Sequence, residues 1–284
     1  AGALDLDDDG YFDGIEVMRA YFDIHVPQNY NGPLCLDWEG RTYTWLISGV
    51  PALRDIAIQQ FILAMNTARQ LRPGAKVGIY GLPYNEYYER NQAWRDREHT
   101  FEPIYTASDC LFPSVYDNYK NGEWPGHTAE RDHLYVKEVT EMALEMSEGK
   151  PVYPFIWPRY HLVSLQHPFE LIPASEFKPH VAAIFTANYN GDKADGLVWW
   201  GADLWYRALS LENLQPGDPN YQLHVFLQNL FNHEIPPGTT DVEHFTGIHT
   251  ATLVQLKDVV QHAFGQGWSG VQRTKALAAP NGVR

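Results

Sequence analysis

Five short apolar runs constrain the fold of this 284-residue chain more than any other feature of its sequence. Each run has the length and composition of a buried β-strand. Loops and helical patterns separate the runs, and this strand, helix, strand order predicts parallel βαβ units and an α/β fold. The five predicted strands cover residues 34–38, 76–81, 110–115, 151–157 and 196–200.

Apolar side chains recurring at helical spacing predict the connecting elements. Pro51 stands at a favourable first helical position, and Gly149 is a stop signal for the helix before it. The predicted helices cover residues 51–71, 128–146, 175–188, 218–231 and 247–264.

The expected architecture is a TIM-like (β/α) barrel of irregular form, because the chain length suits one large domain. Five strands are fewer than the roughly eight that close such a barrel. We expect that the first barrel strands precede residue 1, although an open barrel without them is the alternative. Either way, strand 34–38 should have an edge that is exposed or covered by another element.

The sequence divides into three predicted segments. Residues 1–24 form an acidic loop and its exit helix, residues 25–265 form the barrel, and residues 266–284 form a polar tail. The acidic loop matches the twelve-residue EF-hand pattern, with oxygen ligands at positions 1, 3, 5, 9 and 12 and Gly10 at position 6. This pattern predicts a structural Ca²⁺ site whose ligands are Asp5, Asp7, Asp9, the carbonyl of Tyr11, Asp13 and Glu16.

Two observations bear on the calcium prediction. Only four residues precede Asp5, so the helix that normally enters an EF-hand loop has no room in this sequence. The alternative is a solvated acidic segment that binds no ion. The predicted ion has no part in catalysis, and we expect no catalytic cofactor.

Asp37 and Glu39 end the first predicted strand, one residue apart. In a β-strand their side chains point to the same face. Paired carboxyl groups whose pKa values differ are the acid and base of many glycoside-cleaving enzymes. The alternative, two solvated residues at a strand end, loses weight because aromatic or polar residues also follow the other strands, where barrel active sites lie. These residues are Tyr80, Tyr84, Tyr116, Trp157, Arg159, Trp200 and Asp203.

Composition restricts the partners. The chain has 35 acidic and 21 basic residues, and its formal net charge of −14 disfavours nucleic acid and anionic membranes. No apolar run approaches the roughly 20 residues that span a bilayer. Aromatic residues make up 14% of the chain, which suits a cleft that stacks sugar rings. A polyanionic sugar would need a basic groove, for which the candidates are Arg41, Arg54, Arg95, Arg97 and Arg159.

Five of these motifs together resemble the hyaluronidase family of venom and mammalian type. They occur in the family's order and at similar spacing, between about residues 25 and 205. The motifs are Leu36-Asp-Trp-Glu39, Leu71-Arg-Pro with Gly78-Ile-Tyr-Gly-Leu-Pro-Tyr84, Phe112-Pro-Ser-Val-Tyr116, Pro151-Val-Tyr153 and Leu197-Val-Trp-Trp-Gly201.

The resemblance implies substrate-assisted, retaining hydrolysis of an N-acetylhexosamine polymer such as hyaluronan or chondroitin. It implies that Glu39 is the general acid and that Asp37 orients the N-acetyl group. Tyr80 and Tyr116 would contact the reacting acetamide, and Trp200 would pack against it. The remaining predicted substrate contacts are Tyr84, Trp157, Arg159, Asp203 and Arg41, the last replacing a family arginine at a shifted position.

Two other functions stay open at this point. A polysaccharide lyase would use Tyr80 or Tyr116 with His161 to remove a proton beside a uronate carboxyl group. A non-catalytic carbohydrate-binding protein would keep the aromatic cleft without the reaction. Metal catalysis is disfavoured because the 12 histidines are scattered and form no H-E-x-x-H motif.

The sequence says less about location and assembly. Cys35 and Cys110 lie in apolar runs, where cysteine is usually a small buried residue, so no disulfide framework is indicated. The substrate class favours a secreted or periplasmic location. Nothing in the sequence defines the oligomeric state.

Overall fold

The computed structural model describes residues 4–264, which form an α/β structure of short parallel strands and longer helices. The helices are α1 Ile15–His25, α2 Arg41–Ile47, α3 Pro51–Leu71, α4 Gln92–His99, α5 Glu102–Ala107, α6 Ala129–Ser147, α7 Ala174–Thr186, α8 Asp203–Leu211, α9 Tyr221–Glu234 and α10 Asp241–Phe264. The strands are β1 Pro33–Leu36, β2 Lys76–Ile79, β3 Phe155–Ile156 and β4 Val198–Trp199.

All five predicted strand segments lie side by side in chain order, and all neighbouring pairs run parallel. β1 pairs with β2, and β3 pairs with β4. The third segment, residues 110–115, joins the two pairs through isolated bridges rather than a continuous ladder. These bridges are Tyr80 to Phe112, Leu111 to Val152, and Ser114 to Phe155.

The two faces of this sheet belong to two different hydrophobic clusters. Alternate side chains along the strands point to opposite faces. One face, which includes Val77, Ile79 and Val152, packs in the larger core with α3, α6 and α7. The other face carries Cys110, Phe112, Tyr116, Phe155 and Trp157 and packs against Leu209, Leu227, Phe231 and Phe245 of α8, α9 and α10. These three helices therefore cover the face that further strands would enclose in a closed barrel.

The sheet is open within residues 4–264. β1 pairs on one side with β2, and β4 pairs on one side with β3. This agrees with the expected unpaired edge of strand 34–38. The strands form no closed TIM barrel within these residues. The fold is an α/β sheet with barrel-like strand order.

The acidic loop belongs to the same core as the barrel-like part. Leu4, Phe12, Met18 and Phe22 are buried in the large cluster that also contains Leu256 of α10. Phe12 packs on Trp38, with ring centroids 6.2 Å apart. The predicted polar tail, residues 266–284, lies outside the described residues.

The predicted strands are too long and four helices were not predicted. The strand at 151–157 reduces to Phe155–Ile156 and that at 196–200 to Val198–Trp199. The unpredicted helices are α2, α4, α5 and α8. The helix at 51–71 is confirmed as Pro51–Leu71, with Pro51 in its first turn and Phe61 and Met65 fully buried.

No helix within residues 4–264 is both long enough and apolar enough to cross a membrane. Cys35 and Cys110 are both free thiols, and the Cys110 thiol donates to the carbonyl of Lys76.

Candidate active site

Asp37 and Glu39 lie just beyond the C-terminal end of β1, with Trp38 between them. Trp38 is 1% exposed and packs edge-on against Phe61 of α3, whereas both acids keep exposed surface. The alternation agrees with the prediction that the two carboxyl groups share a face. Burial of the intervening tryptophan therefore fixes both acids toward one side of the sheet.

The environment of Glu39 favours its protonated form. Although the Glu39 side chain keeps exposed surface, the surrounding protein displaces part of the water around its carboxyl group. This partial desolvation and the negative charge of the neighbouring Asp37 raise the pKa of Glu39 to about 7. Partial desolvation also raises the pKa of Asp37. Glu39 can therefore hold a proton near neutral pH, which a general acid requires.

Tyrosines follow the next two strand segments. The Tyr80 hydroxyl donates to Ser114 Oγ at 3.1 Å, and the Tyr80 and Tyr116 rings lie 6.4 Å apart. Burial, and then the charge of Glu39, raises the pKa of Tyr80 well above its usual range. The ring of His161 stacks on Tyr116 at 5.8 Å. The structure thus brings Asp37, Glu39, Tyr80 and Tyr116 to the same end of the sheet.

Glu39 and Tyr80 line a cleft of 290 Å³ at the C-terminal ends of the strands, whereas Asp37 and Tyr116 lie outside its lining. The only ionisable acids lining it are Glu39 and Glu86, and no Lys or Arg lines it among the described residues. The lining residues are Glu39, Tyr43, Tyr80, Gly81, Tyr84, Asn85, Glu86, Tyr87, Ser114, Asn118, Tyr119, His161 and Val163.

Tyr84 is held in this cleft by its backbone. Its N–H donates to Glu98 at 3.1 Å, and its carbonyl accepts from the indole of Trp94 at 3.0 Å. Glu98 is fully buried and also accepts from Tyr105. The unpredicted helix α4 supplies both contacts, so this helix positions the predicted sugar-binding tyrosine.

Trp157 and Trp200 lie on the sheet face that carries the site. Trp157 is 2% exposed and stacks on Tyr206 at 5.6 Å, whereas Trp200 is partly exposed and packs on Phe155 at 6.5 Å. Trp200 therefore keeps ring surface exposed to solvent, while Trp157 supports the ring of Tyr206.

Arg159 and Asp203 do not have the accessible surface that their predicted substrate-binding role needs. Both are 0% exposed, and the Arg159 guanidinium pairs with Asp203 and, at 2.7 and 2.8 Å, with Glu234. His249 donates to Asp203 at 2.8 Å. This network joins the end of β3 to α8, α9 and α10, so these side chains hold elements of the fold together. Arg41 begins α2 on the surface, and its backbone N–H donates to Asp8.

Sequence reasoning missed Tyr43 and Tyr206. The Tyr43 hydroxyl donates to the carbonyl of Gly81 at 2.9 Å, and its ring lines the cleft. Burial first, and then the charges of Glu39 and other acids, raise the pKa of Tyr206 to about 12. Both lie on the unpredicted helices α2 and α8. A helical pattern at those positions was the signal that could have found them.

The acidic loop brings together three of its six predicted calcium ligands. Carboxylate oxygens of Asp5, Asp7 and Asp9 lie within 4.8 Å of one another. Gly10 has φ +96°, and its N–H donates to Asp5 at 2.9 Å. Asp13 instead accepts from the N–H of Leu6 at 2.8 Å. Glu16, with an 82% exposed side chain, lies 3.6 Å from Arg19.

Comparison with known proteins supports the fold. No protein-family model and no curated protein sequence matches this chain. Among solved structures, bee venom hyaluronidase in a monoclinic crystal is similar, with TM-score 0.52 and 14% identity over 78% of this chain and 75% of that chain. Bee venom hyaluronidase in complex with a hyaluronic acid tetramer gives TM-score 0.51 and 15% identity over 82% and 76%. The chain therefore has a fold similar to that of bee venom hyaluronidase.

Proposed function

We propose that this protein is a retaining glycoside hydrolase that cleaves an N-acetylhexosamine-containing polysaccharide with help from the substrate's own N-acetyl group. The observation that carries the proposal is the environment of Glu39, whose pKa of about 7 suits a proton donor that lines a cleft. The likeness to a hyaluronidase that holds a hyaluronic acid tetramer supports an oligosaccharide substrate.

In the proposed reaction, Glu39 donates its proton to the glycosidic oxygen as the bond to C1 breaks. The carbonyl oxygen of the substrate's acetamide attacks C1 and forms a cyclic intermediate, so no second enzyme carboxylate acts as nucleophile. Asp37 accepts a hydrogen bond from the acetamide N–H and stabilises its developing positive charge. A water molecule then attacks C1 and gives a proton to Glu39 while the bond between C1 and the acetamide oxygen breaks, which restores the acetamide and the starting state of Glu39.

Tyr80 and Tyr116 are hydrogen-bonding groups in this proposal rather than bases. Their pKa values are raised, first by burial, so both hydroxyls stay protonated and can donate to the acetamide oxygen. Trp200 offers a partly exposed ring against which the acetamide methyl can pack.

A uronate lyase is the second candidate, and His161 is the observation that favours it. Burial lowers the pKa of His161 to about 4, so the ring in the cleft is neutral, but so low a pKa makes it a weak proton acceptor. The raised pKa of its neighbour Tyr116 opposes a tyrosinate base. A lyase would give unsaturated products that absorb ultraviolet light, whereas hydrolysis adds water to the products.

Replacement of the proposed general acid tests the function. We expect Glu39→Gln to lower turnover of N-acetylhexosamine polymers by about two decades or more while oligosaccharide binding remains. Glu102→Gln, in the first turn of α5, changes the same group away from the cleft and should leave turnover unchanged. Unchanged turnover in Glu39→Gln would overturn the proposal, and glycan binding with no product in the wild type would identify a carbohydrate-binding protein.

We also propose that the loop of residues 5–16 binds a structural Ca²⁺ ion. The convergence of Asp5, Asp7 and Asp9 and the left-handed Gly10 support this, and Asp13 and Glu16 would have to turn toward the ion. Calcium at about 100 times its Kd should stabilise the fold by about 2.7 kcal/mol. We expect chelator to lower the thermal midpoint of the wild type but not of Asp7→Asn. An equal midpoint with calcium and with chelator would exclude the site.

A further inference from the structure

A second groove, of 610 Å³, adjoins the cleft. Tyr119 and Val163 line both cavities, so the groove continues the cleft. Its surface is made of rings and aliphatic side chains. The lining residues are Tyr88, Tyr119, Trp124, Pro125, His127, Val163 and Leu165.

Two loops that form the groove are fastened together by one carboxylate. Glu123 accepts hydrogen bonds from the Ser164 hydroxyl at 2.9 and 3.0 Å and from the N–H groups of Leu165 and Gln166 at 3.1 and 3.0 Å. These bonds hold Trp124, the residue after Glu123, and Leu165 along the same groove. Both carboxylate oxygens of Glu123 therefore accept hydrogen bonds within the contact between the two loops.

The rings of the groove are fixed by contacts with one another. His127 stacks on Tyr119 with centroids 4.3 Å apart, and His127 Nε2 lies 3.0 Å from the hydroxyl of Tyr88. The Arg131 guanidinium lies 5.0 Å from the Tyr88 ring centroid. Tyr88 nevertheless stays 48% exposed. A ligand would therefore meet a preformed aromatic surface, which reduces the ordering cost of binding.

Charge restricts what this surface can bind. No Asp, Glu, Lys or Arg lines the groove among the described residues, and the adjoining cleft contributes only the acids Glu39 and Glu86. Two adjacent cations, Arg131 and Arg97, lie over the rings of Tyr88 and Tyr84 rather than in the lining. A polyanionic sugar would therefore meet two lining acids and no lining Lys or Arg among the described residues. The C–H faces of an uncharged pyranose ring, in contrast, suit the electron-rich faces of Tyr and Trp.

We propose that this groove is an accessory subsite that binds uncharged N-acetylhexosamine units of the polysaccharide chain whose reacting bond lies at Glu39. The inference rests on the proposed function for the identity of the chain, and it makes a neutral, chitin-like N-acetylglucosamine polymer the preferred substrate class. The groove supplies affinity for long chains, while the cleft holds the reacting sugar.

The test measures binding by calorimetry in a Glu39→Gln background, so that the glycan stays intact. The probes are the disaccharide and the hexasaccharide of β-1,4-linked N-acetylglucosamine. A hyaluronan hexasaccharide serves as an anionic probe of the same number of sugar units. We expect Trp124→Ala and Tyr88→Ala to weaken hexasaccharide binding about five- to tenfold and to leave disaccharide binding unchanged. We expect a smaller loss for Leu165→Ala and none for Ile24→Ala on α1, two side chains that are each 76% exposed.

The outcomes separate this inference from the proposed function. Unchanged hexasaccharide affinity in both aromatic variants, with wild-type thermal midpoints, would overturn the subsite. Tighter binding of the hyaluronan hexasaccharide than of the neutral one would overturn the substrate class. If the wild type hydrolyses no glycan but Trp124→Ala still weakens hexasaccharide binding, the subsite stands and the proposed function falls.

Discussion

At the scale of single residues, the site depends on the unequal surroundings of two acids. Asp37 and Glu39 face the same side because Trp38 is buried between them. The pKa of both is raised, first by desolvation, and that of Glu39 rises further because Asp37 lies beside it. Acid catalysis with substrate assistance needs a carboxyl group that holds a proton near neutral pH, as Glu39 does, beside a second carboxyl group that can orient the acetamide.

This division predicts the pH dependence of the rate. Since Glu39 must be protonated to act as the general acid, kcat/KM should fall as pH rises through about 7. Asp37→Asn removes the neighbouring negative charge, so it should lower the pKa of Glu39 and move this loss of activity to lower pH. Initial rates from pH 4 to 9 measure both effects. A loss of activity at the same pH in wild type and Asp37→Asn would contradict the assigned coupling.

At the scale of elements, α2 connects the proposed catalytic acid to the acidic loop. This helix begins at Arg41, two residues after Glu39, and its buried Thr42 donates to the carbonyl of Gly10 at 2.8 Å. Trp45, on the same helix, lies so close to Gly10 that an added Cβ would be 2.4 Å from its ring. The loop therefore fixes the start of the helix that follows Glu39.

Removal of this link should destabilise the fold and disturb the site. Thr42→Val keeps the side-chain shape but leaves the Gly10 carbonyl without its partner, which should cost about 1–3 kcal/mol in the free energy of unfolding. Thr44→Val is the control, because Thr44 is exposed and its bond to Gly40 is 3.5 Å long. Urea denaturation compares the two variants. Equal unfolding free energies would show that the buried bond contributes nothing.

The same elements show what sequence reasoning could and could not reach. The long helix α3 was predictable because its buried residues recur at helical spacing, whereas α4 buries only Trp94 and Glu98 and otherwise reads as polar. Its start is set by Asn91, whose side chain accepts from the N–H of Trp94. The acids and tyrosines at strand ends were predictable from position. Tyr43 and Tyr206 were missed because they lie on the short helices α2 and α8, which were not predicted.

At the scale of the whole molecule, a buried ion network attaches the three C-terminal helices to the open side of the sheet. Arg159, at the end of β3, pairs with Asp203 of α8 and Glu234 of α9, and His244 and His249 of α10 bind these two acids. The sequence located Arg159 and Asp203 at strand ends but could not show that three C-terminal helices fold over the open sheet and bury both.

Loss of the central cation should be costly. Arg159→Met leaves Asp203 and Glu234 buried without their main counter-ion, and we expect it to lower the free energy of unfolding by about 3–5 kcal/mol. Arg19→Met removes the exposed pair with Glu16 and should cost less than about 1 kcal/mol. Denaturant titration of both variants measures the difference. A loss for Arg159→Met no larger than for Arg19→Met would contradict the proposed role of the network.

Buried acids also give the molecule a characteristic dependence of stability on pH. Burial is the first cause that raises the pKa of Glu98 and Asp132 to about 7 and of Asp117 to about 8. The unfolded chain releases these protons near pH 4. Above that pH the folded state binds more protons than the unfolded state, so the free energy of unfolding falls as pH rises. Asp203 acts in the opposite direction: burial alone would raise its pKa, but His249 and Arg159 lower it to about 2.

The raised acids should lower the free energy of unfolding as pH rises from about 4 to 8, whereas His161, whose pKa burial lowers to about 4, acts in the opposite direction below about pH 6.5. The loss of stability should therefore be clearest above about pH 6.5. Asp203 stabilises the fold above the unfolded pKa and loses this effect only as pH falls toward 2, whereas the raised acids destabilise it increasingly from about pH 4 to 8. Asp117→Asn removes one raised acid, so it should reduce the fall in thermal midpoint between pH 5 and 8. Scanning calorimetry across pH 3 to 8 gives both profiles. A thermal midpoint that rises steadily from pH 5 to 8 in the wild type would contradict the conclusion that these buried acids are protonated in the folded state.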